Sequence, residues 1–150
     1  MIDYTLLNSA PAVVNDVIQY FVVAQDLGVP TVGINTGTFA ATPTSVALTG
    51  AAFPIGGTPK SYTILPLLGG TKTVCATGCD YPTLTVAGGA FAAINGSVVT
   101  SNITLEIAGD LTAETGAISL NEFASPFTVT IKPTGSARVI SGTSVGATGL

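Results

Sequence analysis

The chain has 150 residues, of which 8% are charged and 47% hydrophobic, with a formal net charge of −4 and neither His nor Trp. Four basic residues are too few to neutralise a run of phosphates or anionic headgroups, which argues against nucleic acid and charged lipid surfaces as partners. No apolar run reaches the roughly 18–20 residues that span a bilayer as a helix, so membrane insertion is not expected.

Hydroxyls must supply most of the polar surface, since the chain holds 23 Thr and 10 Ser. Thr is β-branched and suits a half-exposed pleated strand. Frequent punctuation by 18 Gly and 9 Pro fits many short strands joined by turns. The expected class is folded and mainly β. Met1-Ile2-Asp3 lacks the basic and apolar regions of a signal peptide. With an extracellular composition, and a Gly-rich GATGL end, the chain reads as an internal piece of a longer extracellular or cell-surface protein.

Val17–Asp26 predicts a strong strand with Ile18, Tyr20, Val22 and Ala24 on one face, bounded by Asn15-Asp16 and Leu27-Gly28. Thr31–Ile34, Ser45–Leu48 and Ser61–Leu65 read as shorter strands, pointing to sheet-on-sheet packing. YFVVAQDLG resembles the penultimate strand of a fibronectin type III or related immunoglobulin-like domain, through its V-x-A-x-D ending at Val22, Ala24 and Asp26. SYTIL would then be the last strand. Ile18 stands where such domains usually carry a tyrosine, and the connection from Asp26 to Ser61 is longer than a hairpin. Met1–Ala12 cannot hold the earlier strands, so the resemblance implies only the C-terminal part of a sandwich. LPLLGG at Leu65–Gly70 reads as a Pro/Gly junction, giving regions 1–68 and 69–150.

Thr73–Val74 predicts a short strand leading to CATGC. Four residues extended span about 13–14 Å, whereas a disulfide holds Cα atoms about 5.5 Å apart, so Cys75 and Cys79 must lie on a turn to be bonded. A local disulfide is the favoured reading and two free thiols the alternative; a metal site lacks further ligands. Asp80 and Pro82 then look like a helix start. Leu84, Ala87, Phe91 and Ile94 share one helical face that runs to Asn95-Gly96, although Gly88-Gly89 weakens it. Beyond it only strands are expected. Ile103, Leu105 and Ile107 alternate with Thr104 and Glu106. Ala117–Leu120, the alternating Phe127, Val129 and Ile131, and Arg138–Ile140 follow. TLEIAGD and TVTIKPT match when Thr104 is laid on Thr128, which points to a repeating coil.

CDYPTLTVAGGAFAAIN, at Cys79–Asn95, resembles the start of right-handed parallel β-helix proteins of the pectate-lyase-like group, where a D-Y-x-T-L segment leads into a helix capping the first coil. The following strands resemble first coils of large secreted or cell-surface proteins of Bacteroidetes-type bacteria, which often carry immunoglobulin-like modules ahead of the β-helix. The resemblance implies partial sandwich strands followed by a capping helix and coils. Asp80, Leu84, Ala87, Phe91 and Ile94 would form the cap.

Enzymes of that group work with clustered carboxylates, and the lyases among them hold Ca²⁺ with acidic groups and use a basic one to take a proton. The candidates here are Asp80, Glu106, Asp110, Glu114 and Glu122, with Lys132 and Arg138 as cations. Each is read as a solvated surface or turn charge, leaving no catalytic, metal or cofactor residue. Lack of His removes the usual nucleophilic triad. Asn95-Gly-Ser97 and Asn102-Ile-Thr104 match the glycosylation pattern and are read as chance. Tyr20, Tyr62 and Tyr81 are read as packing residues and not as a sugar platform. The expected role is a non-catalytic structural or adhesive segment, with polysaccharide or cell-surface glycans as conceivable partners. The alternatives are the N-terminal non-catalytic part of a β-helix polysaccharide lyase or glycoside hydrolase, and a carbohydrate-binding module.

Overall fold

The computed structural model describes residues 11–26, 28, 31–122 and 126–143. Leu27, the Met1–Asp3 start and the GATGL end lie outside them. Among the described residues the chain is mainly β, and it divides into two units, Met1–Ile64 and Leu65–Leu150.

In the first unit β1 (Val17–Tyr20) runs antiparallel to β4 (Lys60–Thr63), with Val17 beside Thr63 and Tyr20 beside Lys60. Separately, β2 (Val23–Gln25) runs antiparallel to β3 (Val32–Ile34). The strand expected over Val17–Asp26 is therefore two strands with different partners. Asn35 explains the change: its side-chain oxygen accepts from the Val22 amide at 2.8 Å, and its own amide donates to the Val22 carbonyl at 3.0 Å. Those bonds anchor Val22 to the β3 side, just where β1 leaves β4. Ser45–Leu48 is not a strand either. The Gln25 side chain bonds the backbone of Thr44 and Val46, and the Ser45 hydroxyl accepts from the Ala47 amide, so side chains occupy groups a ladder would use. Val32 and Ala52 are the buried hydrophobic residues of this unit among those described. Two two-stranded ribbons with little common core are what these residues form.

The second unit is built on parallel pairing. Its larger sheet has the order β5 (Leu67–Val74), β6 (Val98–Ile107), β8 (Val129–Pro133). A smaller one pairs β7 (Leu111–Glu114) with β9 (Ile140–Gly142), again parallel. The chain thus visits the two sheets alternately from β6 onward. Ile103, Leu105 and Ile107 are 0%, 0% and 2% exposed, and they form the centre of a core with Leu68, Val74, Leu84, Ala90, Ile94 and Leu111.

Three expectations change here. Thr104 stands beside Thr130, not Thr128, and Leu105 beside Ile131. Alternation fixes register only in steps of two, because either offset keeps the aliphatic residues on one face. The observed offset brings Glu106 beside Lys132, with Nζ and Oε1 3.2 Å apart. Secondly, the units divide at Ile64/Leu65, at the start of the expected junction and before 68/69, and Leu67–Gly70 belongs to β5. Gly69 packs so closely on the Ser101 side chain that no Cβ fits, and the Gly70 amide donates to Ser101 Oγ at 3.1 Å. The glycines let β5 lie against β6. Thirdly, the helix α1 covers only Ala90–Asn95. Gly88 has φ +80°, which ends any helical course before it.

Truncating the central row tests this packing. Leu105→Ala should lower unfolding stability by about 2–5 kcal/mol, while Thr104→Ala should change it by less than roughly 0.5 kcal/mol. Denaturant titration of the two variants checks the difference.

Candidate functional site

The residues singled out as a cap gather at the first turn of the second unit, but in different roles from those expected. Cys75 and Cys79 are disulfide-bonded with Cα atoms 5.5 Å apart. The turn they close returns Tyr81 alongside Val74 as a parallel bridge, through Cys75 N donating to Tyr81 O and Tyr81 N to Thr73 O, each at 3.1 Å. Asp80 caps no helix. Its Oδ2 accepts from the Thr73 amide at 2.7 Å and the Thr73 hydroxyl at 2.9 Å, which ties the turn shut. These bonds, the amide first, hold its carboxyl below the ordinary value of 3.8, and the Lys72 charge adds to them. Burial, and secondly the Asp80 charge, push the Tyr81 phenol above 10.0.

Leu84 is buried in the core yet precedes α1, and Ala87 is exposed in the bend before it. Of the expected face, Phe91 and Ile94 alone are helical. Ile94 is buried and Phe91 packs partly against the core. The stretch that was to open the helix is held instead by Glu114. This carboxylate is 2% exposed and accepts from the amides of Leu84 and Thr85, both at 2.7 Å, and from the Thr85 hydroxyl. Thr85 Oγ1 accepts in turn from Gly116 N at 3.0 Å and Thr115 N at 3.3 Å. Glu114 was read as a solvated charge, and the structure corrects this. Burial of so polar a side chain is offset when hydrogen bonds replace its water, and here three donors do so. Nothing in the sequence around Leu111–Glu114 signals it, because the donors lie about thirty positions earlier, at Leu84 and Thr85.

Glu106 and Asp110 are also engaged. Glu106 pairs with Lys132 and accepts from the Thr134 hydroxyl. Asp110 Oδ1 accepts from Val139 N at 3.0 Å. Glu122 is exposed, and no group of three or more metal-binding side chains exists among the described residues. Arg138 donates to the Thr134 carbonyl. The two glycosylation-like asparagines have work within the fold. Asn95 donates to Ser119 O and accepts from Asn121 N, and Asn102 accepts from Thr128 N. The Asn95 clip, with Ile118 N donating to Thr85 O, holds Ala117–Leu120 without any strand.

In the first unit, Tyr20 and Tyr62 pack with ring centroids 5.9 Å apart and planes tilted by 56°. An open cleft of about 470 Å³ is lined by Gln19, Phe21, Phe53, Pro54, Ile55 and Pro59. Tyr81, the third tyrosine considered, is half-buried in the other unit. No helix among the described residues is long and apolar enough to cross a membrane.

Two measurements follow from the clasp and the turn. Glu114→Gln should cost about 1–3 kcal/mol, since the amide cannot accept at both positions and one buried donor loses its partner. A double-mutant cycle with Thr85→Val in urea should show the two residues coupled. For Asp80, the lowered folded value means its stabilisation is complete above the unfolded value near 3.9 and is lost as pH falls through the folded one. In an NMR titration the Thr73 amide should shift with a midpoint below 3.8, and Asp80→Asn should abolish that shift.

Comparison with protein-family models, curated proteins and solved structures finds no match to this chain.

Proposed function

We propose that the chain is a non-catalytic structural or adhesive segment of a large secreted or cell-surface bacterial protein. In this reading residues from about 65 onward form the N-terminal cap and first coils of a right-handed parallel β-helix. The preceding residues are the C-terminal part of an immunoglobulin-like module. The observation that carries the reading is the parallel register of β5, β6 and β8, with β7 parallel to β9 and Leu111 of β7 in the same core. Parallel neighbours need long crossovers, and a right-handed crossover is the general rule. At the β5 end, Tyr81 lies against Val74 while Ala90 and Ile94 of α1 join the core, as a cap would. The Cys75–Cys79 disulfide fits an oxidising compartment. The antiparallel β1–β4 pair fits neighbouring final strands of a sandwich.

Support for a non-catalytic role comes from how the acids are used. Asp80, Asp110 and Glu114 accept backbone amides, and Glu106 is paired with a lysine. A reaction centre needs such groups directed at a substrate.

One observation favours a second reading, a carbohydrate-binding module. The first unit's cleft joins Phe21 and Phe53, with ring centroids 6.2 Å apart, to the amide of Gln19. Presenting the full chain to an immobilised glycan panel separates the two. A structural segment should show no saturable binding. Binding to any glycan that Phe53→Ala abolishes would replace that role with sugar recognition.

A further inference from the structure

Residues 126–143 take part in both sheets of the second unit, as β8 in one and β9 in the other. They bury almost nothing of their own. Phe127 and Val129 are half-buried, and every other residue from 126 to 143 is exposed. The circuit before them is built differently, with Ile103, Leu105, Ile107 and Leu111 each at most 2% exposed. A segment with few buried contacts and solvent-facing hydrogen bonds opens at a lower free energy than the core beside it.

Polar attachments hold this segment along its length. Asn102 Oδ1 accepts from Thr128 N and Asp110 Oδ1 from Val139 N, both at 3.0 Å. Between them Glu106 pairs with Lys132 and accepts from the Thr134 hydroxyl. Backbone bonds close the same seam: Ile103 N donates to Thr128 O at 2.9 Å, Thr134 N to Ile107 O at 3.0 Å, and Leu111 N to Val139 O at 2.9 Å. Near the far end, Gly142 lies so close to the Glu114 backbone that no Cβ fits. The preceding circuit has other supports. β6 is bonded along its second edge to β5, and Ala108 N donates to Val74 O at 2.9 Å. β7 keeps Leu111 in the core and Glu114 on the amides of Leu84 and Thr85.

We infer that residues 126–143 form a strap that leaves and rejoins the second unit as one piece while β5, β6 and β7 stay folded. The strap reaches both sheets, so lifting β9 from β7 lifts β8 from β6 as well. Opening frees the amides that face β8, such as Ile103 N, and leaves those that face β5, such as Ala108 N, closed. Neither the handedness of the coil nor the location of the protein enters this inference.

Native-state hydrogen exchange of the full chain, read by NMR, tests it. The amides of Ile103, Thr128, Thr134 and Val139 should exchange through one common opening, at least about tenfold faster than Ala108. Gly142→Ala disturbs the strap at β9, and it should speed exchange at Ile103, in the other sheet, by about tenfold or more while Ala108 is unchanged. Asp110→Ala removes one attachment without crowding the Glu114 backbone, and it should speed Ile103 about three- to tenfold. Equal protection of Ile103 and Ala108, or a Gly142→Ala effect confined to β9, would overturn the inference. Loss of Ala108 protection in Asp110→Ala would overturn it too, since β6 would then open together with the strap.

Discussion

From Ile103 to Ile107 β6 is hydrogen-bonded along both edges, and its side chains Ile103, Leu105 and Ile107 on one face are buried. The rest of the larger unit follows from satisfying that strand. Its neighbours are parallel, so neither can be reached by a tight turn. The chain must leave the sheet, travel around the core and return, and every amide on the way needs an acceptor. The scarce acids and amides meet that need. Asn95, Asn102, Asp110 and Glu114 each accept from backbone far along the chain, and Asp80 closes the first turn. With only eight acidic residues in the chain, placing three of them, Asp80, Asp110 and Glu114, on backbone amides of this unit leaves little ionisable chemistry on its surface.

The same reasoning explains why the unit's ends are unlike. At one, a disulfide-closed turn brings Tyr81 alongside β5, and a short helix adds Ala90 and Ile94 to the core. At the other, aliphatic side chains and strand edges are left partly exposed. The first unit is a different case. Its ribbons bury little, and side chains such as Asn35 and Gln25 hold its backbone in place of a continuous sheet. Its apolar residues make a cleft more than a core.

Thr accounts for the outer faces of β6 and β8, at Thr104 and Thr130. On the same face the Glu106–Lys132 pair is the one facing pair of opposite charges among the described residues of these two strands.

Composition and alternation were enough to read mainly β structure, the buried row Ile103-Leu105-Ile107 and the Cys75–Cys79 turn, because each depends on neighbours within a few residues. Register was not legible, since alternation repeats every two residues and Glu106–Lys132 chooses between otherwise equivalent offsets. The helix was read too long for a related reason. Its spacing of apolar residues is real, but whether Leu84 and Thr85 turn helically depends on Glu114, which only the folded chain brings to them. The buried carboxylate itself had no local mark. Charge in a sequence looks solvated until the fold supplies donors from a distant segment, and that supply is a property of tertiary structure alone.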